Sequence, residues 1–159
     1  MERHASRREF LWTAGGAAAG LGLAAIIAVE PARATPVAMQ EAIRKVVGSA
    51  RVNTGRVKLE LPPLSENGNA VPLTVSVESP MTARDRVTAI HLLLEQNPEP
   101  EAAQFTLGPR CGKAEIATRV RMFAPQKVHG LAAMSDGTFW IGSIHVEVTL
   151  AACVEIDVK

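Results

Sequence analysis

Apolar and polar residues alternate along the last part of the chain. From residue 143 to residue 159 every even-numbered position is apolar, beginning with Ile144, whereas the odd-numbered positions are polar apart from Ala151, and Cys153 shares their face. A period of two is typical of a half-buried β-strand. The pattern therefore predicts that a strand continues from Leu150 to Val158, with Cys153 on its solvent-facing side.

Seven earlier segments also have strand-like patterns, and turn residues separate them. The run 87–95 is more continuously apolar than the others, which indicates a central strand. The pair Asn67-Gly68 predicts a tight turn, because these residues adopt left-handed backbone conformations at low cost. Since no helical pattern separates the strands, we predict an all-β antiparallel sandwich. The segments are residues 57–61, 71–77, 87–95, 105–107, 113–122, 126–134 and 138–141.

One short helix is predicted ahead of the sandwich. Thr35 precedes Pro36, which is the order of a helix N-cap and a proline at the first helical position. Apolar residues at helical spacing follow, and Gly48 marks the end of the helix. Residues 49–55 are polar and are predicted to form a loop. We therefore assign residues 35–55 to a helix and loop, and residues 56–159 to the sandwich.

The first 34 residues are interpreted as a twin-arginine export signal, not as part of the fold. Arg7 and Arg8 precede Phe10 and a weakly hydrophobic stretch, residues 13–29, that is rich in Ala and Gly. Small residues at Ala32 and Ala34 fit a signal-peptidase site, so we predict cleavage after Ala34 and a periplasmic protein without stable membrane association. The alternative is a retained membrane anchor, although about 17 Gly- and Ala-rich residues span a bilayer poorly.

Charge and composition narrow the classes of function. The chain has 17 basic and 16 acidic residues, no Tyr, four Phe and two Trp. It offers neither a basic surface nor base-stacking aromatic residues, which argues against nucleic-acid binding. Two cysteines fit neither a disulfide-rich scaffold nor a cysteine-based zinc site. No residue cluster predicts a metal, a cofactor or a catalytic triad, so no enzymatic chemistry is predicted from the residues.

A series of short motifs follows in order along the chain. They are Leu61-Pro62-Pro63, Glu66-Asn67-Gly68, Val71-Pro72, Ser79-Pro80-Met81-Thr82, Asn97-Pro98, Pro109 with Gly112, Thr118-Arg119-Val120-Arg121, Ser135-Asp136-Gly137-Thr138-Phe139-Trp140 and Val148-Thr149. Each motif is weak alone. Together, and behind a twin-arginine signal, they resemble the SoxY family of thiosulfate-oxidation (Sox) sulfur carrier proteins over roughly Pro36 to Cys153.

The resemblance implies an immunoglobulin-like sandwich, a heterodimer with a SoxZ-like subunit and transient contacts with other Sox enzymes. It also implies a carrier and not an enzyme, with Cys153 as the cysteine that holds sulfur intermediates. In the family this cysteine lies in a Gly-Gly-Cys-Gly-Gly arm, whose glycines leave the backbone free to enter several enzymes. Here the residues around Cys153 are Ala151-Ala152 and Val154-Glu155. The alternative is therefore an interaction module that has lost the swinging arm.

Other side chains admit simpler interpretations. Cys111 lies in a predicted turn and is interpreted as an incidental surface thiol, although a Cys111–Cys153 disulfide stays open. Arg119 and Arg121 lie on a polar strand face, where they are solvated or guide anionic sulfur compounds. His145 shares the polar face of the last strand with Cys153, but too few ligands converge there to predict a metal site.

Overall fold

The computed structural model of the protein describes residues 36–152, in which one helix precedes nine strands. Helix α1 (Pro36–Val47) is amphipathic and is followed by Gly48, whose φ is positive. A short 3-10 helix (Gly68–Ala70) lies between the third and fourth strands. The strands are β1 (Val52–Thr54), β2 (Val57–Glu60), β3 (Leu64–Ser65), β4 (Val71–Val77), β5 (Val87–Leu94), β6 (Glu101–Thr106), β7 (Glu115–Val120), β8 (Gln126–Met134) and β9 (Phe139–Val148).

The strands form two sheets that pack face to face. The larger sheet has the order β1-β9-β8-β5-β6, with β3 also paired to β9, and the smaller sheet has the order β2-β4-β7. All pairings are antiparallel except those of β1 and β3 with β9. The main core lies between the sheets and includes Leu73, Ile90, Leu92 and Val128. The predicted all-β sandwich with a short N-terminal helix is confirmed.

Helix α1 covers part of the outer face of the larger sheet. Met39 and Val47 of the helix are buried in a second apolar cluster with Leu93 of β5 and Leu131 of β8. Strand β5 therefore has apolar neighbours on both faces, which explains its continuous apolar run. It lies between β8 and β6, so the predicted central position is confirmed.

Strand β9 is longer at its start than the sequence indicates. We predicted a break at Gly142, but the strand runs through it and pairs Gly142 with Gly130 of β8. A side-chain carbon on Gly142 would collide with the carbonyl oxygen of Val57. The glycine is thus required by the close approach of β2 and does not end the strand.

At its other end β9 stops earlier than predicted. The strand ends at Val148, and residues 149–152 have no strand conformation. The prediction of a strand from Leu150 onward is wrong for the described residues, and residues 153–159 lie outside them. The reason is a lack of partners: β8 begins at Gln126, opposite Val146, and β3 ends at Ser65, opposite Val148. Alternation alone cannot indicate where neighbouring strands end.

The segment 49–55 was predicted as a loop and contains a strand. Val52–Thr54 pairs in parallel with Phe139–Ile141 at the edge of the larger sheet. Three residues are too few to give a period in the sequence. Within residues 36–152, no helix has both the length and the apolar character needed to cross a bilayer. The predicted export signal, its cleavage site and Thr35 lie outside the described residues.

Candidate functional site

The candidate site is the end of the described chain, because Cys153, the cysteine predicted to hold sulfur, directly follows the last described residue, Ala152. Strand β3 runs beside the end of β9 and fixes this region. The amide of Glu147 donates to Pro63 O at 2.9 Å, and the amide of Thr149 donates to Ser65 O at 3.0 Å. The sandwich therefore holds the chain for at least one residue beyond the end of β9.

Three backbone hydrogen bonds hold the next residues. Gly68 N donates to Leu150 O at 2.7 Å, Met122 N donates to Gly68 O at 2.7 Å, and Ala152 N donates to Met122 O at 3.0 Å. We call Gly68, Met122, Leu150 and Ala152 the tail junction. Ala152 is buried, whereas the Leu150 side chain is 70% exposed. The chain is thus anchored to the sandwich up to the residue before Cys153.

Gly68 lies at the centre of the tail junction. A Cβ atom built on it would lie 2.5 Å from Met122 O, 2.8 Å from Ala152 N and 2.9 Å from Leu150 O. Gly68 does not have a positive φ, and the preceding Asn67 is extended with φ −132°. The predicted turn is present as the 3-10 helix Gly68–Ala70, but the left-handed backbone conformation given as its reason is wrong. Glycine is needed here because three backbone segments meet, and not because of its φ.

A pair of buried amide side chains supports the Met122 segment from behind. Asn97 Nδ2 donates to Arg121 O at 2.9 Å, and Phe123 N donates to Asn97 Oδ1 at 3.3 Å. Gln126 Nε2 donates to the same oxygen at 2.9 Å. Asn97 and Gln126 are both buried. No pattern in the sequence indicates this pair, although Asn97 belongs to the Asn97-Pro98 motif.

Cys153, the predicted carrier cysteine, lies outside the described residues. Cys111 is described and is half-buried, with its side chain packed against the main core. Cys111 is thus less exposed than the predicted incidental surface thiol, although the residues on either side of it in the turn are exposed. Cys111 has no disulfide partner within residues 36–152.

Cys111 and the tail junction lie near opposite ends of β7. Cys111 precedes β7, whereas Met122, the partner of Ala152, follows it. The six residues of β7 extend for about 17 Å, and a disulfide needs Cα atoms within about 7 Å. Ala152 is thus bonded at the end of β7 that is opposite to Cys111. The predicted alternative of a Cys111–Cys153 disulfide involves a residue outside the described ones.

The charged residues singled out in the sequence do not converge on the tail junction. His145 Nε2 and Glu147 Oε1 are 2.9 Å apart on the exposed face of β9. Arg119 lines a shallow groove of about 510 Å³ on the outer face of the smaller sheet, and Arg121 is exposed. In the described part of the chain, no group of three or more His, Cys, Asp or Glu residues is placed to hold a metal ion.

The turn between β8 and β9 forms an ordered polar network at the other end of the sandwich. Asp136 accepts hydrogen bonds from the Thr138 hydroxyl at 2.7 Å and the Thr138 amide at 2.9 Å. These bonds hold the pKa of the Asp136 carboxyl below its ordinary value. Trp140 Nε1 donates to the Thr138 hydroxyl, and the Arg56 guanidinium lies 4.6 Å from the Trp140 ring centroid. This network orders the turn and does not contact the tail junction.

Comparison with protein-family models gives one match. The model of the sulfur oxidation protein SoxY matches residues 43–153. The matched range begins in α1, covers every strand and ends at Cys153. Among curated proteins, no significant match was found.

Comparison with solved structures also gives a SoxY protein, together with proteins that share the sandwich fold. The sulfur carrier protein SoxY from Chlorobium limicola f thiosulfatophilum superposes with a TM-score of 0.62 at 26% sequence identity, covering 73% of this chain and 100% of that chain. A superoxide reductase (neelaredoxin) from Ignicoccus hospitalis has a TM-score of 0.53 at 17% identity, with coverage of 72% and 94%. A putative superoxide reductase from Thermotoga maritima has 0.53 at 12%, with 64% and 95%. The two reductases share the sandwich fold alone.

Proposed function

The chain belongs to the SoxY family of sulfur oxidation proteins, and from this membership we propose that it carries sulfur intermediates covalently on Cys153. The observation that carries the proposal is the extent of the family match, which runs through the whole sandwich and includes Cys153. The likeness to the Chlorobium sulfur carrier protein supports it. In this role the protein is a substrate for partner enzymes and not an enzyme itself.

The chemistry requires a thiolate at the end of a chain that enzymes can reach. Attachment of thiosulfate forms a bond between the Cys153 sulfur and the terminal sulfur of thiosulfate, giving an S-thiosulfonate adduct. The thiol loses its proton and the pair of sulfur atoms loses two electrons, which an electron-accepting partner enzyme takes up. A deprotonated, accessible thiol is the nucleophile for this step.

One observation favours the alternative of a non-carrying interaction module. The tail junction anchors the chain up to Ala152, and the flanking residues of Cys153 are alanine, valine and glutamate in place of glycine. Such residues restrict the backbone more than glycine does. A module of this kind would keep its protein partner but would hold no sulfur.

Intact mass of the protein isolated from cells oxidising thiosulfate tests the proposal. We expect a mass increment that a thiol reductant removes, because S-thiosulfonate and persulfide bonds are cleaved by thiols. We expect the increment to be absent from Cys153→Ser. The matched control, Cys111→Ser, is expected to retain it. The same measurement gives the N-terminus, which we propose is Thr35 after twin-arginine export to the periplasm.

The outcomes separate the two candidates. A reductant-labile increment that persists in Cys153→Ser would assign the sulfur to another site and contradict the carrier role of Cys153. No increment on the unmodified protein, with active partner enzymes present, would support the interaction module.

We further propose that the sandwich pairs with a SoxZ-like subunit, as the family membership supports. Co-expression followed by size-exclusion chromatography is expected to give a single heterodimer peak, with weaker self-association of this chain alone. Two subunits that elute separately at micromolar concentration would argue against the pairing.

A further inference from the structure

We propose that the tail junction sets how far Cys153 can extend from the sandwich, with Gly68 as the positioning residue. The inference rests on the proposed carrier role of Cys153, and it identifies the residues that limit the delivery of Cys153 to partner enzymes. In the described structure the junction is closed, since all three of its backbone hydrogen bonds are 3.0 Å or shorter. Delivery of Cys153 into the active site of a partner enzyme then requires the junction to open.

Covalent geometry gives the size of the effect. While Ala152 stays bonded to Met122, covalent geometry keeps the Cα atom of the next residue, Cys153, within about 3.8 Å of the Cα atom of Ala152. When the bonds of Leu150 and Ala152 are broken, the last anchored residue is Thr149, whose amide donates to Ser65 O. Four residues then extend to Cys153, and they span about 13–14 Å. Opening the junction therefore increases the reach more than threefold.

Gly68 controls this opening because nothing larger fits at its position. Its amide and carbonyl groups take part in two of the three hydrogen bonds, and a Cβ atom would contact the atoms of Met122, Leu150 and Ala152. Each of those contacts would be shorter than real Cβ atoms show, and each would be with backbone. Residues 150–152 are easier to displace than the Met122 segment. The residues on both sides of Met122 are hydrogen-bonded to the Asn97 side chain as well. A side chain at position 68 is therefore expected to displace the tail and not the Met122 segment.

The test uses the mature protein carrying Cys111→Ser, so that Cys153 is the one thiol. Alkylation rates are compared for iodoacetamide and for a maleimide attached to a large polyethylene glycol, which needs an extended thiol. Gly68→Ala is expected to raise the ratio of the bulky-reagent rate to the small-reagent rate about tenfold, the size of effect that loss of one to two backbone hydrogen bonds gives. Hydrogen exchange of the Ala152 amide is expected to accelerate in parallel.

Gly108→Ala is the matched control, because a Cβ atom at Gly108 meets nothing within 4 Å and its φ is not positive. It should leave both rates unchanged. Ala152→Pro removes the amide that donates to Met122 O without adding bulk at position 68, and it should raise the same ratio. This second variant keeps the test decisive if Gly68→Ala does not fold.

An unchanged rate ratio and unchanged exchange in a folded Gly68→Ala protein, or an unchanged rate ratio in Ala152→Pro, would overturn the inference. That result leaves the carrier function intact if the unmodified protein still takes up sulfur on Cys153. Conversely, an increased ratio together with no sulfur on any variant would support control by the junction and would contradict the carrier function. The two hypotheses therefore fail separately.

Discussion

Asn97→Ala is expected to lower the free energy of unfolding by about 2–4 kcal/mol, because the substitution removes three hydrogen bonds of a buried side chain and leaves the half-buried Phe123 amide without its acceptor. The Asn97 side chain accepts from Phe123 N and Gln126 Nε2 and donates to Arg121 O. Each buried donor or acceptor left unpaired costs about 1–3 kcal/mol. Equilibrium unfolding in urea, with linear extrapolation to water, measures the change.

Asn53→Ala provides the matched control for this prediction. Asn53 is exposed and makes one long hydrogen bond, from its Nδ2 to Phe139 O at 3.3 Å. Its removal is expected to change the free energy of unfolding by less than about 0.5–1 kcal/mol. Similar losses for Asn97→Ala and Asn53→Ala would show that the buried amide pair does not support the Met122 segment.

The same variant links stability to the tail. Asn97 fixes the residues on both sides of Met122, and Met122 accepts the hydrogen bond of Ala152. Loss of Asn97 thus removes the rigid side of the tail junction as well as buried hydrogen bonds. Local opening near Ala152 is expected at denaturant concentrations below those of global unfolding.

The sequence predicts most of the sandwich because the relevant information is local. In β4, and on one face of β7, buried and exposed positions follow the pattern of apolar and polar residues. Strand β8 departs from it at its first residue, the buried Gln126. The continuous apolar run of β5 also indicates its central position, because helix α1 and the opposite sheet cover its two faces. Each element carries its burial pattern in its own residues.

The site could not be predicted in the same way, because it depends on encounters between distant backbone segments. Gly68, Met122 and Ala152 are far apart in the sequence and interact through amide and carbonyl groups, which every residue possesses. Alternation continues through Leu150, but the partners of β9 end near Ser65 and Gln126. The one local indication of the site was the glycine at position 68. We attributed this glycine to the geometry of a turn, whereas it is needed because the backbones of Met122, Leu150 and Ala152 approach it closely.

The largest functional effect is expected from a glycine-rich tail. Replacing Ala151, Ala152, Val154 and Glu155 with glycine, together with deletion of residues 156–159, should increase the rate of sulfur loading on Cys153 about tenfold. Glycine destabilises a fixed backbone conformation by roughly 0.5–1 kcal/mol per residue relative to alanine, because it loses more conformational freedom. The change at position 152 also removes a buried methyl group from the tail junction. Loading is measured as the reductant-labile mass increment formed with partner enzymes over time.

Deletion of residues 156–159 alone is the control, because it shortens the tail without adding flexibility at Cys153. We expect this deletion to change loading little. Loading that is already complete and rapid in the unmodified protein, and that disappears in Cys153→Ser, would contradict the idea that tail restriction limits the carrier.

Combining the glycine tail with Gly68→Ala then shows where the restriction lies. If both changes act by opening the tail junction, their effects on loading are not additive, since the junction can be opened only once. Additive effects would indicate that the residues around Cys153 restrict delivery separately from the junction. In that case the alanine, valine and glutamate beside Cys153 limit this family member even after Ala152 is released.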